Sequence, residues 1–153
     1  MEYQTLTPEE LLGPLNEVEA KNAPKELYVR GDISILQKHM SVSIIGSRKL
    51  TVLGIKRAQS LARTIVSRGG VVVSGVAEGS DRGGETADIG VGGKAVVVIG
   101  TPLNQNYPRQ NLELQEHIAR EHLLISQFSI GSPSMPKNFI QRNKTMALIS
   151  DAT

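Results

Sequence analysis

Apolar residues recur along this chain in two rhythms. One consists of short, unbroken runs: Val71-Val72-Val73, Ala95-Val96-Val97-Val98-Ile99 and Leu123-Leu124-Ile125. Runs of this length without polar alternation predict strands buried on both faces. Val42 to Gly46 predicts a further strand, and Leu27 to Gly31 a shorter one. The second rhythm is helical. Ala58, Leu61, Ala62, Ile65 and Val66 stand at i, i+3, i+4, i+7 and i+8, one apolar helix face. Thr51 is placed to cap that helix and Gly69-Gly70 to end it. Lys56, Arg57, Arg63 and Arg68 lie off the apolar face, as a solvated basic surface. Asp81 opens a weak helix to Gly90, because Gly83 and Gly84 each cost roughly 1 kcal/mol against Ala. Asn111 caps a helix with Leu114 and Ile118 inward, and residues 138–150 form the last helix.

Strand and helix therefore alternate four times. Buried parallel strands joined by helical crossovers predict an α/β fold, a Rossmann-like open parallel sheet with helices on both faces. Residues 27–153 make up that domain, and residues 1–26 are an N-terminal extension. The extension is polar and carries Pro8, Pro14 and Pro24. Within it Thr7-Pro8-Glu9-Glu10-Leu11-Leu12 predicts a cap, a proline at the first helical position and a short helix. Asp32 to Leu36 predicts a single helical turn.

Composition narrows the class. The 153 residues suit one domain with its own core. Cysteine is absent, which excludes disulfides and thiolate metal sites. The acidic, polar start is not a signal peptide and no apolar run nears the ~20 residues of a membrane span, so a cytoplasmic protein is expected. A net charge of +2 argues little by its sum. The few aromatics, Tyr3, Tyr28, Tyr107, Phe128 and Phe139, exclude a platform that stacks several bases but leave room for one.

Open α/β sheets bind ligands beyond the carboxyl ends of their strands. Here those ends are Gly46-Ser47-Arg48, Ser74-Gly75, Gly100-Thr101-Pro102 and Gln127-Phe128-Ser129. Gly46 permits a tight turn, Ser47 adds a hydroxyl and an N–H, and Arg48 a planar fork for phosphate oxygens. A helix N-terminus follows, whose unpaired N–H groups favour an anion. Ser74-Gly75 repeats the arrangement one strand away. Neither the dinucleotide pattern G-x-G-x-x-G nor the phosphate loop G-x-x-x-x-G-K-[ST] follows these strands, which argues against NAD, FAD or ordinary ATP use. His39, His117 and His122 have no serine or carboxylate in triad or metal-ligand spacing. Asp81 reads as a helix cap and Glu85 as a solvated helix residue. A second candidate stretch runs from Pro136 to Lys144, with Lys137, Phe139, Arg142 and Asn143. Helical spacing puts Phe139, Arg142 and Asn143 on one side, an aromatic beside a cation and an amide.

These residues resemble the DNA-processing protein A family (DprA, also called Smf). The matching motifs are Ile45-Gly46-Ser47-Arg48-Lys49, Ser74 through Asp81, Gly92-Gly93-Lys94, Tyr107-Pro108-Arg109-Gln110-Asn111, Asn138 to Asn143, and Ser150-Asp151-Ala152. Leu27 to Asp32 is similar to the family's entry strand, so the resemblance covers residues 24–153. It implies a non-enzymatic protein without a cofactor. Such a protein binds single-stranded DNA, helps load a RecA-type recombinase during DNA uptake, and forms a homodimer. It implies a DNA pocket of Gly46, Ser47, Arg48, Ser74, Gly75, Lys137, Phe139, Arg142 and Asn143. The chain departs from the family pattern at Glu78, Glu85 and Ile140, and two carboxylates near a phosphate would oppose DNA binding. It also stops where the family continues into further strands, so a short or truncated member with an open sheet edge is expected. A nucleotide-binding protein, or a phosphoribohydrolase-like enzyme of the same superfamily, is the alternative. The Pro-Gly-Gly-x-Gly-Thr-x-x-Glu signature of such enzymes is missing, leaving only Glu78 and Glu85 for their chemistry.

Overall fold

The computed structural model describes residues 2–45, 52–76, 93–104 and 109–153. Its elements are β1 (Gln4–Leu6), α1 (Pro8–Leu12), α2 (Glu17–Asn22), β2 (Leu27–Gly31), α3 (Ser34–Gln37), β3 (Ser41–Ser43), α4 (Val52–Ser67) and β4 (Val71–Val76). Then follow β5 (Ala95–Ile99), α5 (Arg109–Glu121), β6 (Leu123–Ser126) and α6 (Lys137–Ile149). Among the described residues six strands form one sheet in the order β1-β2-β6-β5-β4-β3. Strands β3 to β6 are parallel, whereas β2 joins β6 and β1 joins β2 antiparallel. The α/β class is as expected, with a mixed rather than wholly parallel sheet.

The unbroken apolar runs resolve into two faces by simple alternation. Val71, Val73, Val96, Val98, Leu123 and Ile125 point to one side, where Leu11, Ile35, Leu36, Met146 and Ile149 cover them. Val97, Ile99 and Leu124 point to the other, against Leu103 and Ile118. Helices α1, α3 and α6 thus cover the first face and α5 the second. Helix α4 packs on β4 with Ala62 fully buried. Right-handed crossovers that step steadily from β3 to β6 place α4 on the same face as α5. Each fully buried Val or Leu is worth roughly 1.5–3 kcal/mol, against about 0–1 for an exposed ion pair. This two-sided core therefore dominates the stability.

Several boundaries differ from the sequence reading. The extension forms not one helix but β1, α1 and α2, the last capped by Asn16 with Glu19 in a reciprocal box. The expected box of Thr7 and Glu10 is present. The first parallel strand spans Ser41–Ser43 rather than 42–46. Leu61 is 49% exposed, off the apolar face assigned to it. Asn111 lies inside α5, which begins at Arg109, and so does not cap it. Thr51 and the stretch 81–90 lie outside the described residues.

The serines of β3 have a role that periodicity hides. Ser41 Oγ donates to the Ile149 carbonyl at 3.2 Å and Ser43 Oγ to that of Met146 at 3.0 Å. These satisfy carbonyls that the end of α6 leaves without helical partners. Residues past α6 then pair in parallel with β3 through Ser43 N–H to Ala152 O at 2.8 Å. The Asp151 carboxylate accepts the Ser41 N–H at 2.8 Å. Replacing Ser43 with Ala should lower the urea midpoint by the equivalent of about 1 kcal/mol without changing m.

His122, buried at the start of β6, accepts the Ala95 N–H on Nδ1 at 3.0 Å. Burial pushes its pKa below the usual 6.5, and nearby Lys94 adds to the effect. The unfolded chain then binds the imidazole proton before the folded one does. The resulting stability is present above about pH 6.5 and is lost as pH falls toward the depressed folded value. His122→Asn, which can keep the acceptor, should flatten this loss. Denaturation midpoints of both proteins between about pH 7.5 and 5 measure it.

Candidate functional site

Helix α6 runs antiparallel to the parallel strands, because its late residues meet β3 while Arg142 and Phe139 meet the carboxyl ends of β4 and β5. Its buried side is Asn138, Arg142, Thr145, Met146 and Ile149. The later two are apolar and enter the core. The earlier two are polar and lie where the strands end. One tether holds this end in place and one the second half of the helix. Asn138 Nδ2 donates to Pro133 O at 3.4 Å, and the Thr145 hydroxyl donates to Gln127 Oε1 just past β6.

Two glycines let α6 approach the sheet. A methyl group on Gly75 would stand 2.5 Å from Cζ and Nη1 of Arg142. The guanidinium therefore lies on bare backbone at the end of β4. A methyl group on Gly100 would stand 2.8 Å from Cδ1 of Phe139, so the ring lies on bare backbone beyond β5. Arg142 Cζ is 5.6 Å from the Phe139 ring centroid, a cation–π distance. Arg142 is only 8% exposed. Phe139 and Asn143 are half-buried and Lys137 is exposed. Asn143 Oδ1 is buried with no hydrogen-bond donor, a condition that typically costs ~1–3 kcal/mol. A planar cation and an aromatic face are thus held at the strand ends, chemistry suited to a phosphate and a base.

Of the residues singled out in the sequence, the structure brings Gly75, Phe139 and Arg142 together. Ser74 is buried, but it pairs with Val97 and so points to the opposite face of the sheet from Gly75. Gly46, Ser47 and Arg48, like Glu78, Asp81 and Glu85, lie outside the described residues. Gly100 is the participant that sequence reasoning did not assign. Its signal is a glycine placed directly after a strand whose every side chain is buried.

Other polar features are already committed. A cavity of about 610 Å³ beside β1 and β2 includes Arg30. That guanidinium is held by both carboxylate oxygens of Glu116, at 3.0 and 3.1 Å, and by Glu2 O at 3.1 Å. The pairing holds the Glu116 carboxyl below the usual range. Among the described residues no group of three or more His, Cys, Asp or Glu could hold a metal ion. No helix there is long and apolar enough to cross a membrane.

Comparison with known proteins identifies relatives of this chain. DNA processing protein DprA of Bacillus subtilis is 32% identical over 128 residues, covering 84% of this chain and 43% of the relative. Protein Smf of Synechocystis is 33% identical over 152 residues, covering 97% of this chain and 38% of the relative. The X-ray structure of DprA from Streptococcus pneumoniae superposes with a TM-score of 0.77 at 28% identity, over 97% of this chain and 52% of that one. DNA processing protein A of Helicobacter pylori, whose structure concerns a single-stranded DNA binding mode, gives 0.74 at 27% identity, over 98% and 66%. The chain thus spans less than half the length of these DprA and Smf sequences. Residues 4–153 match the DNA recombination-mediator protein A family, and the chain belongs to that family.

Proposed function

We propose that this chain binds single-stranded DNA at the carboxyl ends of β4 and β5. The observation that carries this is the Arg142 guanidinium lying on the bare backbone of Gly75, beside a Phe139 ring that lies on Gly100. In this reading Arg142 takes a phosphate and Phe139 stacks on a base. Lys137 adds charge at the rim and Asn143 offers an acceptor. Gly46, Ser47 and Arg48 supply a second phosphate turn, and Ser74 shapes the end of β4 from its other face. The reading assigns no catalytic residue. It includes delivery of the strand to a RecA-type recombinase, a homodimer and a cytoplasmic setting, as the family resemblance implies. Support comes from the family match and from the solved relative with a single-stranded DNA binding mode.

Fluorescence anisotropy with oligo-dT over a salt series tests the reading. The wild type should bind, with affinity falling steeply as salt rises. Arg142→Ala should weaken binding about 10- to 100-fold, the worth of one charge-assisted hydrogen-bond pair. Gly75→Ala keeps every charge but must displace the guanidinium, so it should weaken binding in the same direction. Thermal stabilisation by mononucleotides, with no salt-dependent oligo-dT binding by the wild type, would overturn the proposal.

A further inference from the structure

The charges of this chain are sharply segregated. Residues 33–77 contain no Asp or Glu but carry Lys38, Arg48, Lys49, Lys56, Arg57, Arg63 and Arg68. Residues 1–26 carry six glutamates against two lysines. Four of the cations, Lys56, Arg57, Arg63 and Arg68, are exposed along α4 and its last turn. Helix α5 mixes signs, with Glu113, Glu116 and Glu121 beside Arg120. Among the described residues none of the four cations of α4 meets a carboxylate within ion-pair distance.

The fold gives this stripe a direction. Helix α4 follows β3, so it starts at the carboxyl end of the sheet, across that edge from Arg142 and Phe139 on the other face, and runs back along the sheet. From Lys56 to Arg68 it spans about 18 Å at 1.5 Å per residue. A stacked single strand advances ~3.4 Å per phosphate, so about five phosphates match that span. The hydroxyls between the cations are tied to their own helix, Thr64 Oγ1 to Ser60 O and Ser67 Oγ to Thr64 O. They leave the cations as the groups free to meet a ligand. Leu53 and Leu61 stand exposed in the same stripe, apolar surface of a kind that unpaired bases can cover. The acidic α1 packs on the opposite face of the sheet through Leu11. That opposite face carries both signs, Glu9 and Glu10 on α1 and Lys137, Arg142 and Lys144 on α6, whereas α4 is cationic along its whole length and so favours a polyanion.

We propose that the outer face of α4 is a second binding track, which carries the sugar–phosphate backbone of single-stranded DNA as it leaves the strand-end cleft. The track rests on the reading of that cleft as a single-stranded DNA site. It extends the footprint by about five nucleotides, contributes affinity and salt dependence, and is blind to base sequence.

The test compares the wild type, Arg142→Ala and the combined variant Lys56→Gln, Arg57→Gln, Arg63→Gln, Arg68→Gln. Glutamine keeps helix propensity at these exposed positions, and circular dichroism confirms folding. Each protein is titrated with oligo-dT of about six and about thirty nucleotides over a salt series. The combined variant should bind the short strand within about twofold of wild type. With the long strand its log K against log salt slope should shrink by roughly 2–3, the loss of three to four phosphate contacts at about 0.7 each. Arg142→Ala should weaken both lengths. An unchanged slope in a folded combined variant, while Arg142→Ala still weakens binding, overturns the track alone. Failure of the wild type to bind either strand overturns the cleft reading and the track together. An unchanged DNA slope with loss of a salt-sensitive self-association in sedimentation assigns the stripe to a second copy's acidic face instead, and also overturns the track.

Discussion

Residues 95–99 place five consecutive side chains out of water, so the sheet must be covered on both faces along the whole of β5. Two helical layers follow from that requirement. A single layer would leave either Val96 and Val98 or Val97 and Ile99 in solvent, at roughly 1.5–3 kcal/mol for each side chain. Parallel strands need crossovers, and crossovers that step in one direction place α4 and α5 together on one face. The opposite face is left to α1, α3 and α6. The return of α6 across the sheet toward β3 is thus part of the same solution.

That return also makes the site. A helix laid antiparallel over parallel strands ends its buried stripe where the strands end. Its apolar half, Met146 and Ile149, satisfies the core, while its first turns project past the last buried layer. Asn138 and Arg142 occupy those turns and would be costly anywhere deeper. Gly75 and Gly100 remove the side chains that would otherwise hold α6 away from the sheet. Ser41 and Ser43 anchor its far end by accepting the role of cap for its last carbonyls. Helix α6, held at its end by β3, in its second half by Gln127 and at its first turn by Pro133, carries the guanidinium and the ring between these tethers.

The segregation of charge is a separate property of the same fold. The two helices on one face differ in sign pattern, and of the two α4 lacks carboxylates entirely. Its direction is set by the crossover from β3, so its basic stripe begins at the carboxyl edge of the sheet, on the face opposite the strand-end cleft. The acidic α1 lies across the sheet from it, on the face that α6 and its own cations share. In the proposed reading the charge of α4 adds to that of Arg142, and both contributions fall with salt.

The apolar runs by themselves determined β4, β5 and β6 and the α/β class, because strands buried on both faces are apolar over most of their length, with Ser74 and Ser126 only toward their carboxyl ends. The Thr7 and Glu10 cap of α1 was equally legible, since it needs only residues three apart. Phe139 and Arg142 were found from helical spacing, with their adjacency confirmed at 5.6 Å. What sequence could not decide was anything set by a partner distant in the chain. β1 and β2 are too short to declare their antiparallel pairing, which depends on β6. The polar serines of β3 look like weak strand formers until α6 supplies carbonyls for them. Gly100 looks like a turn until Phe139 lies on it. Ser74 and Gly75 are neighbours that read as one motif, yet the pleat turns them to opposite faces. Adjacency in a strand alternates and adjacency in a helix rotates, so only the assembled layers decide which neighbours meet.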